Sequence, residues 1–120
     1  MVETVNLEEK FSLIEKHWDP KIIAQLNDYH VKIAKIQGEF VWHSHPETDE
    51  LFFVVKGSLT VRLRERDLEL KEGELCVIPA GVEHKPVADC SCQILMLEPA
   101  GTLNTGDAGG ERTQEDVEWI

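Results

Sequence analysis

The sequence predicts an all-β fold, a single barrel or sandwich preceded by short N-terminal helices. Two observations support this prediction. Many short apolar or alternating segments follow one another along the chain, and turn-forming residues such as Gly38, Gly57 and Gly73 separate them. No long helical pattern lies between these segments, so the crossover helices of a parallel sheet are not expected. The predicted strands are 31–36, 40–45, 50–56, 58–64, 68–71, 75–78, 83–87 and 93–98.

The first part of the chain has helical signals. Asn6 followed by Glu9 is the pattern of a capping box, and Phe11, Leu13 and Ile14 would form the apolar stripe of a first helix. A second short helix is predicted after Asp19-Pro20, with its apolar face formed by Ile22, Ile23 and Leu26.

These patterns divide the chain into three parts. Residues 1–28 form a helical extension, residues 29–99 the barrel and residues 100–120 a tail. The tail contains Gly101, Gly106, Gly109 and Gly110 and is expected to be a loop, either a lid or a mobile segment, with Trp119-Ile120 as its anchor.

The charge and composition limit the classes of partner. With 120 residues the chain has the size of one domain, and a net charge of −11 disfavours nucleic acid and anionic membranes as partners. No apolar stretch approaches the roughly 20 residues of a membrane span. The N-terminus lacks the pattern of a secretory signal, and the odd number of cysteines fits a reducing compartment, so a cytoplasmic location is expected.

Three histidines and a glutamate form the candidate site. His43 and His45 are two residues apart on a predicted strand, so both side chains would project to the same face. Glu50 follows across the turn at Pro46, and His84 comes just after 79–81. Three imidazoles and one carboxylate suit a divalent Fe, Mn, Co, Ni, Cu or Zn ion.

The spacing of these residues resembles the two motifs of the cupin superfamily. Segment 38–57 has a glycine, a spacer, His43-Ser44-His45, four residues, Glu50, six residues and a glycine. Segment 73–84 has a glycine, five residues, 79–81 as Pro-X-Gly, two residues and His84. Two positions depart from the pattern: the spacer before His43 is one residue short, and Ala88 stands where an asparagine is frequent.

This resemblance implies a small cupin jelly-roll β-barrel with His43, His45, Glu50 and His84 as ligands of one divalent transition metal ion. It also implies a homodimer, because small cupins with one barrel are commonly dimeric. Cupins include dioxygenases, isomerases and proteins that only bind a small molecule. We therefore expect a metal-dependent enzyme of dioxygenase or isomerase type acting on a small organic molecule, with Glu50 as a candidate base. The alternatives are a non-catalytic module that binds a metal and a small ligand, or a purely structural barrel.

Other polar residues are alternative candidates for the site. Glu47 and Asp49 could compete as ligands or bases but are expected on a solvated turn, and His17 and His30 are expected to be ordinary surface residues. Cys90 and Cys92 would face one side of a strand, yet two thiols make a poor metal site and 89–92 has the composition of a turn.

The apolar residues beside the motifs are candidates for a ligand pocket. Phe40, Trp42, Phe52, Val54 and Met96 could line it or simply belong to the core. Strand alternation favours Val41, Phe52 and Val54, which share parity with the predicted ligands.

Overall fold

Seven strands and one short helix make up the regular structure of residues 2–120, which the computed structural model describes. The helix is α1 (Leu7–Ser12), and the strands are β1 (Lys21–Leu26), β2 (Tyr29–Glu39), β3 (Glu50–Lys56), β4 (Ser58–Leu63), β5 (Asp67–Lys71), β6 (Leu75–Ile78) and β7 (His84–Pro99). All strand pairs are antiparallel. Among these residues no helix is long and apolar enough to cross a membrane.

Strand β7 organises the barrel. It pairs with β2, β3 and β4. Five strands follow one another in the order β1-β2-β7-β3-β6, and β4 lies outside this order, where it pairs with β5 and β7. The two predicted strands 83–87 and 93–98 are therefore one strand, and the turn predicted at 89–92 is wrong. In the pairing of β2 with β7, Gly38 lies opposite Ala88 and Ile36 lies opposite Cys92, so β7 has extra residues between these two pairs. The polar residues of this stretch lie in an exposed bulge of the continuous strand, where their turn-like composition is tolerated.

The predicted helix after Pro20 is also wrong, because residues 21–26 form β1. Leu26 pairs with Tyr29 across a tight turn in which Asn27 has φ 52°, as two-residue hairpin turns require. In so short a segment, the positions of Ile22 and Ile23 fit either a helix or a strand. The segment forms a strand because it pairs with β2.

The first helix is confirmed, and it is short. The side chain of Asn6 accepts a hydrogen bond from the Glu9 amide at 2.9 Å, and α1 ends at Ser12. Phe11 and Ile14 pack with Ile23 and Ile33 on the outside of the sheet. Leu13, predicted in the same apolar stripe, is the C-cap residue of α1 and is 59% exposed.

The main core fills the space between the strands. It contains Ala34, Ile36, Phe52, Val54, Leu59, Val61, Leu70, Ile78, Ala88, Cys92 and Ile94. Along β3 buried residues alternate with partly exposed ones, which places Glu50 on the same inward face as Phe52 and Val54. The fold therefore directs a carboxylate into an apolar interior.

The segment after Pro99 has no helix or strand of its own. Its end is attached to β1, because Ile22 donates to Glu118 O at 2.9 Å and Ile120 donates to Ile22 O at 3.0 Å. The anchor predicted at Trp119-Ile120 is thus confirmed.

Candidate metal centre

The four predicted ligands come from three places in the fold and meet inside the barrel. His43 and His45 lie in the loop between β2 and β3, Glu50 is the first residue of β3, and His84 is the first residue of β7. The strand predicted at 40–45 is wrong except for one bridge, in which His43 and His84 exchange backbone hydrogen bonds of 3.0 and 2.8 Å. This bridge joins two candidate ligands directly through the backbone.

The side chains converge closely. His45 Nε2 lies 3.4 Å from Glu50 Oε2, and His84 Nε2 lies 3.4 Å from Glu50 Oε1. One nitrogen or oxygen from each of the four side chains lies within 4.8 Å of the others. All four residues are buried, with His84 fully so. This arrangement brings together the residues that the sequence predicted as ligands.

Two of the histidines are oriented by carbonyl groups of neighbouring residues. His43 Nδ1 lies 2.9 Å from Val41 O, and His84 Nδ1 lies 2.9 Å from Val82 O. A carbonyl oxygen only accepts, so each Nδ1 carries the hydrogen and donates it. The Nε2 atoms are then left with free lone pairs, the form in which imidazole binds a metal.

Several polar atoms of the cluster lack hydrogen-bond partners. They are His45 Nε2, His84 Nε2 and Glu50 Oε1, all inaccessible to solvent. A buried polar atom without a partner costs about 1–3 kcal/mol. A divalent cation between these atoms would satisfy all three, and the nitrogen and oxygen donors match those of transition-metal sites. The residues therefore fit a metal ion and could hold one.

The electrostatics of the cluster favour the ligand forms. Burial, and then the neighbouring His84, lower the pKa of His43 to about 4. Burial alone would raise the pKa of Glu50, but the neighbouring Glu98 carboxyl, His45 and His84 together hold that pKa well below its usual range. At neutral pH His43 is therefore neutral and Glu50 is ionised, as metal coordination requires.

Glu98 and Lys32 are site residues that the sequence reasoning missed. Both are almost fully buried, and Lys32 Nζ donates to Glu98 Oε1 at 2.7 Å and to Thr102 O at 3.2 Å. Glu98 Oε2 has no partner. Burial and the Glu50 carboxylate raise the pKa of Glu98 well above its usual range, against the opposing influence of Lys32. The alternation of side chains along a strand could have revealed them. Glu98 lies on the same face of β7 as Ile94, and Lys32 lies on the same face of β2 as Ala34.

An apolar cavity adjoins the cluster. Its polar lining groups are His43, Glu50, Glu98 and Asn104. The apolar lining includes Trp18, Ile36, Phe40, Phe52, Ile94 and Met96. The rings of Trp18 and Phe40 are stacked with centroids 4.9 Å apart.

The cavity confirms only part of the predicted pocket. Phe52, Phe40 and Met96 line it, whereas Val41, Val54 and Trp42 do not. The parity argument for Val41 failed because residues 40–45 are not a strand. Trp18 and Asn104 were not foreseen, since both reach the cavity from segments outside the motifs.

The remaining candidates lie outside the site. Glu47 and Asp49 are exposed, and Asp49 Oδ1 accepts a hydrogen bond from the Ala80 amide at 2.8 Å, as expected for a turn. His17 is exposed and His30 partly so. Cys90 is exposed whereas Cys92 is buried, so the two sulfurs do not face one side as predicted, because the bulge intervenes between them.

The segment after the barrel contacts the loop that carries His43 and His45, and we call residues 101–114 the C-terminal strap. Ser44 lies between two candidate ligands and donates from its amide to Asp107 Oδ1 at 2.8 Å. Asp107 returns a hydrogen bond from its own amide to Ser44 O at 2.9 Å. Apart from the glycines of the tail, no sequence pattern predicted this contact.

The fold and the buried cluster define a small β-barrel with a three-histidine, one-glutamate centre that could hold a divalent metal. Residues 29–98 match the Cupin_2 family, described as a cupin domain. Because this match covers more than half of the chain, the protein belongs to the cupin family.

Three known proteins show how far the similarity extends. The chain is 38% identical over 72 residues to the uncharacterized protein YdbB of Bacillus subtilis (strain 168), covering 59% of this chain and 63% of YdbB. It is 37% identical over 67 residues to 3-hydroxyanthranilate 3,4-dioxygenase 2 of Aspergillus fumigatus, covering 51% of this chain but 35% of the dioxygenase. The chain thus spans less than two thirds of either relative.

A solved structure extends the comparison to most of the chain. The crystal structure of a cupin-2 domain containing protein from Shewanella frigidimarina NCIMB 400 is 49% identical with a TM-score of 0.78, covering 79% of this chain and 93% of that one.

Proposed function

We propose that this cupin is a metal-dependent enzyme, of dioxygenase or isomerase type, that acts on a small organic molecule. The observation that carries the proposal is the set of buried ligand atoms without partners, His45 Nε2, His84 Nε2 and Glu50 Oε1, beside an apolar cavity. The similarity to a dioxygenase, restricted to about half of this chain, supports the oxygenase form.

We propose His43, His45, Glu50 and His84 as the ligands of one divalent Fe, Mn, Ni, Zn, Co or Cu ion. When bound, such an ion supplies Lewis acidity and, for iron or copper, reactivity with O2. The protein contributes orientation, since Val41 O and Val82 O fix two imidazoles. It also excludes water, since the whole cluster is buried.

The cavity supports a small, compact and partly aromatic or apolar molecule as the substrate. The aromatic rings of Trp18 and Phe40 in the lining suit an aromatic or apolar group, and Met96 adds an adaptable apolar contact. The polar groups His43, Glu50 and Glu98 share the lining, so a polar substituent of the substrate would be directed to them. Glu50 is the candidate base, because it lines the cavity and is also one of the four candidate metal ligands.

One observation favours the alternative of a binding module without catalysis. Glu98, the second carboxyl group of the cavity, is held by Lys32 at 2.7 Å. If Glu50 coordinates the metal, Glu98 is the one remaining carboxyl group of the cavity lining, and its bond to Lys32 restricts its movement. Such a site would bind a metal and a small ligand without converting it.

The metal content of the purified protein, produced without an affinity tag, tests the first part of the proposal. We expect near-stoichiometric divalent metal in the wild type and its loss in His45→Ala and His84→Ala. The matched control is His17→Ala, which removes an exposed imidazole and should leave the metal content unchanged. Protein that contains no metal and takes up none on titration would exclude the proposed site.

Oxygen consumption separates the enzyme from the binding module. The iron-loaded protein is mixed with O2 and 3-hydroxyanthranilate as the first aromatic probe, with isomerisation followed separately on other small substrates. Turnover that disappears in His84→Ala supports the enzyme. Saturable binding of the probe to the cavity without any turnover supports the binding module.

We also propose that the protein forms a homodimer through the exposed face of β3 and β6 and the open edge of β6. α1 covers one part of the outer sheet surface, whereas Leu75 and Val77 on β6 are 58% and 51% exposed. Within the described sheet β6 has β3 as its one neighbour, so its other edge is open to β6 of a second copy in a two-fold arrangement. Sedimentation equilibrium of wild type and Val77→Glu tests this, and a wild type that is monomeric at all concentrations contradicts it.

A further inference from the structure

We propose that the C-terminal strap is part of the metal centre, with Asp107 as a positioning residue that fixes the His43-Ser44-His45 segment through Ser44. This inference rests on the proposed metal site. It goes beyond that proposal because it assigns metal affinity to a segment outside both sequence motifs and outside the part of the chain that matches the family.

The first observation is a set of three hydrogen bonds at one residue. Ser44 donates from its amide to Asp107 Oδ1 at 2.8 Å and from its hydroxyl to Oδ2 at 3.1 Å. The Asp107 amide donates to Ser44 O at 2.9 Å. The donors and the acceptor of Ser44 are therefore all bonded to a single residue of the strap. Ser44 is flanked by His43 and His45, so any rotation of its backbone moves both imidazoles.

The second observation is the close approach of Gly106. A β-carbon at this position would lie 2.2 Å from Ser44 O and 3.1 Å from Cδ2 of the His43 ring. Real β-carbons do not approach a backbone atom so closely, so any side chain here would displace the ligand loop. The strap is in direct contact with the loop that carries two candidate ligands.

The third observation is the internal order of the strap. Asn104 donates to Arg112 O at 2.8 Å and accepts from the Gln114 amide at 2.8 Å. Thr105 is fully buried and its hydroxyl bonds to that of Thr113. These contacts close the strap into a fixed loop, so Asp107 meets Ser44 as part of a preorganised structure and not as the tip of a free tail.

The ligand loop has few other restraints at this point. His43 is bonded through its backbone to His84, and His45 O accepts a hydrogen bond from the Gly81 amide at 2.9 Å. The residue between them is held by the strap alone among the backbone and side-chain hydrogen bonds described for residues 2–120. Supporting contacts of this kind typically change metal affinity by 10–100-fold.

Two glycines of the strap offer a matched pair of variants. Gly106 and Gly109 both have positive φ, of 52° and 62°, so alanine strains the backbone similarly at either position. A β-carbon at Gly109 meets nothing within 4 Å. We expect Gly106→Ala to weaken Co²⁺ binding about tenfold and to change the visible spectrum of the bound Co²⁺, whereas Gly109→Ala leaves both unchanged.

Variants of Asp107 test the same contact without a steric clash. Asp107→Ala removes both side-chain acceptors of Ser44 and should weaken Co²⁺ binding about tenfold. Asp107→Asn keeps an oxygen for the Ser44 amide and should restore most of the affinity. In the metal-free protein, amide hydrogen exchange at Ser44 should be faster in Asp107→Ala than in Asp107→Asn, which shows the docking independently of the metal.

The outcomes distinguish this inference from the function on which it rests. Wild type that binds no Co²⁺ overturns the metal site and the role of the strap together. Wild type that binds Co²⁺, with equal affinity and spectrum in Gly106→Ala and Asp107→Ala, overturns the strap alone. A loss of affinity that Gly109→Ala reproduces equally also overturns it, because general strain in the strap would then explain the result.

Discussion

The N-terminal segment packs on the outside of the sheet, whereas the C-terminal strap packs on the loop that carries two candidate metal ligands. Phe11 and Ile14 join an apolar cluster with Ile23 and Ile33. The strap instead makes polar contacts, centred on Ser44 and Asp107. We infer that the first segment contributes mainly to the stability of the barrel and the second mainly to the geometry of its site.

The largest effect is expected from Phe11→Ala. Phe11 is 2% exposed, and removing so buried a side chain costs about 3–5 kcal/mol in the free energy of unfolding. The metal affinity of the folded protein should not change, because Phe11 lies on the outer surface of the sheet. Urea denaturation measures the first quantity and Co²⁺ titration the second.

The control for this variant is Leu13→Ala, at a position that is 59% exposed. It should stay within about 0.5 kcal/mol of wild type. A Phe11→Ala protein that remains folded but loses its metal affinity would contradict the division between the two segments.

An intermediate effect is expected from Arg112→Ala. The Arg112 guanidinium lies 4.6 Å from the centroid of the Phe40 ring, and its NH1 donates to Glu39 O at 2.8 Å. Losing these contacts should cost about 1 kcal/mol of unfolding free energy. Arg112 makes none of the described hydrogen bonds with His43, Ser44 or His45, so metal affinity should be retained, which separates this part of the strap from Asp107.

Arg66→Ala provides the comparison for that variant, since Arg66 is exposed and makes no side-chain hydrogen bond among the described residues. Equal denaturation midpoints for Arg112→Ala and Arg66→Ala would show that the contact with Phe40 contributes nothing to stability.

The smallest effect is expected at Lys21, whose ion pairs lie beyond both segments. Lys21 Nζ lies 3.2 Å from both Asp19 and Glu118, so it joins β1 to the end of the chain. Pairs of this kind near the surface contribute about 0.2–1 kcal/mol, and Lys21→Met should lose no more than that. The loss should shrink in high salt, as thermal denaturation at two ionic strengths would show. A larger loss that is independent of salt would indicate packing of the lysine stem as the cause.

The sequence predicted the parts of the site that depend on local spacing. Glu50 begins β3 where the alternation placed it, and the family resemblance identified His43, His45 and His84 before their positions were known. The cluster formed even though residues 40–45 are not a strand. The spacing of the motif thus identified four residues that converge in the fold, although the structural reason first assigned to His43 and His45 was wrong.

The parts that were missed depend on contacts between distant segments. Residues 21–26 fit a helix or a strand by local pattern, and only pairing with β2 decides between them. Glu98 and Lys32 become site residues because β2 and β7 are neighbours. The contact between Ser44 and Asp107 joins residues 63 positions apart, and no local pattern predicts such a pair.

The exposed bulge in β7 limits how the length of this chain can vary. Between the pairs Gly38–Ala88 and Ile36–Cys92, β7 has two residues more than β2. An even excess keeps the alternation of inward and outward side chains in phase, so His84 at one end and Glu98 at the other both face the interior. A deletion of one residue in this bulge has to be absorbed by a rearranged backbone there, since otherwise every later side chain of the strand would turn to the opposite face and Glu98 would be exposed. A change of two residues there would keep the alternation without such a rearrangement.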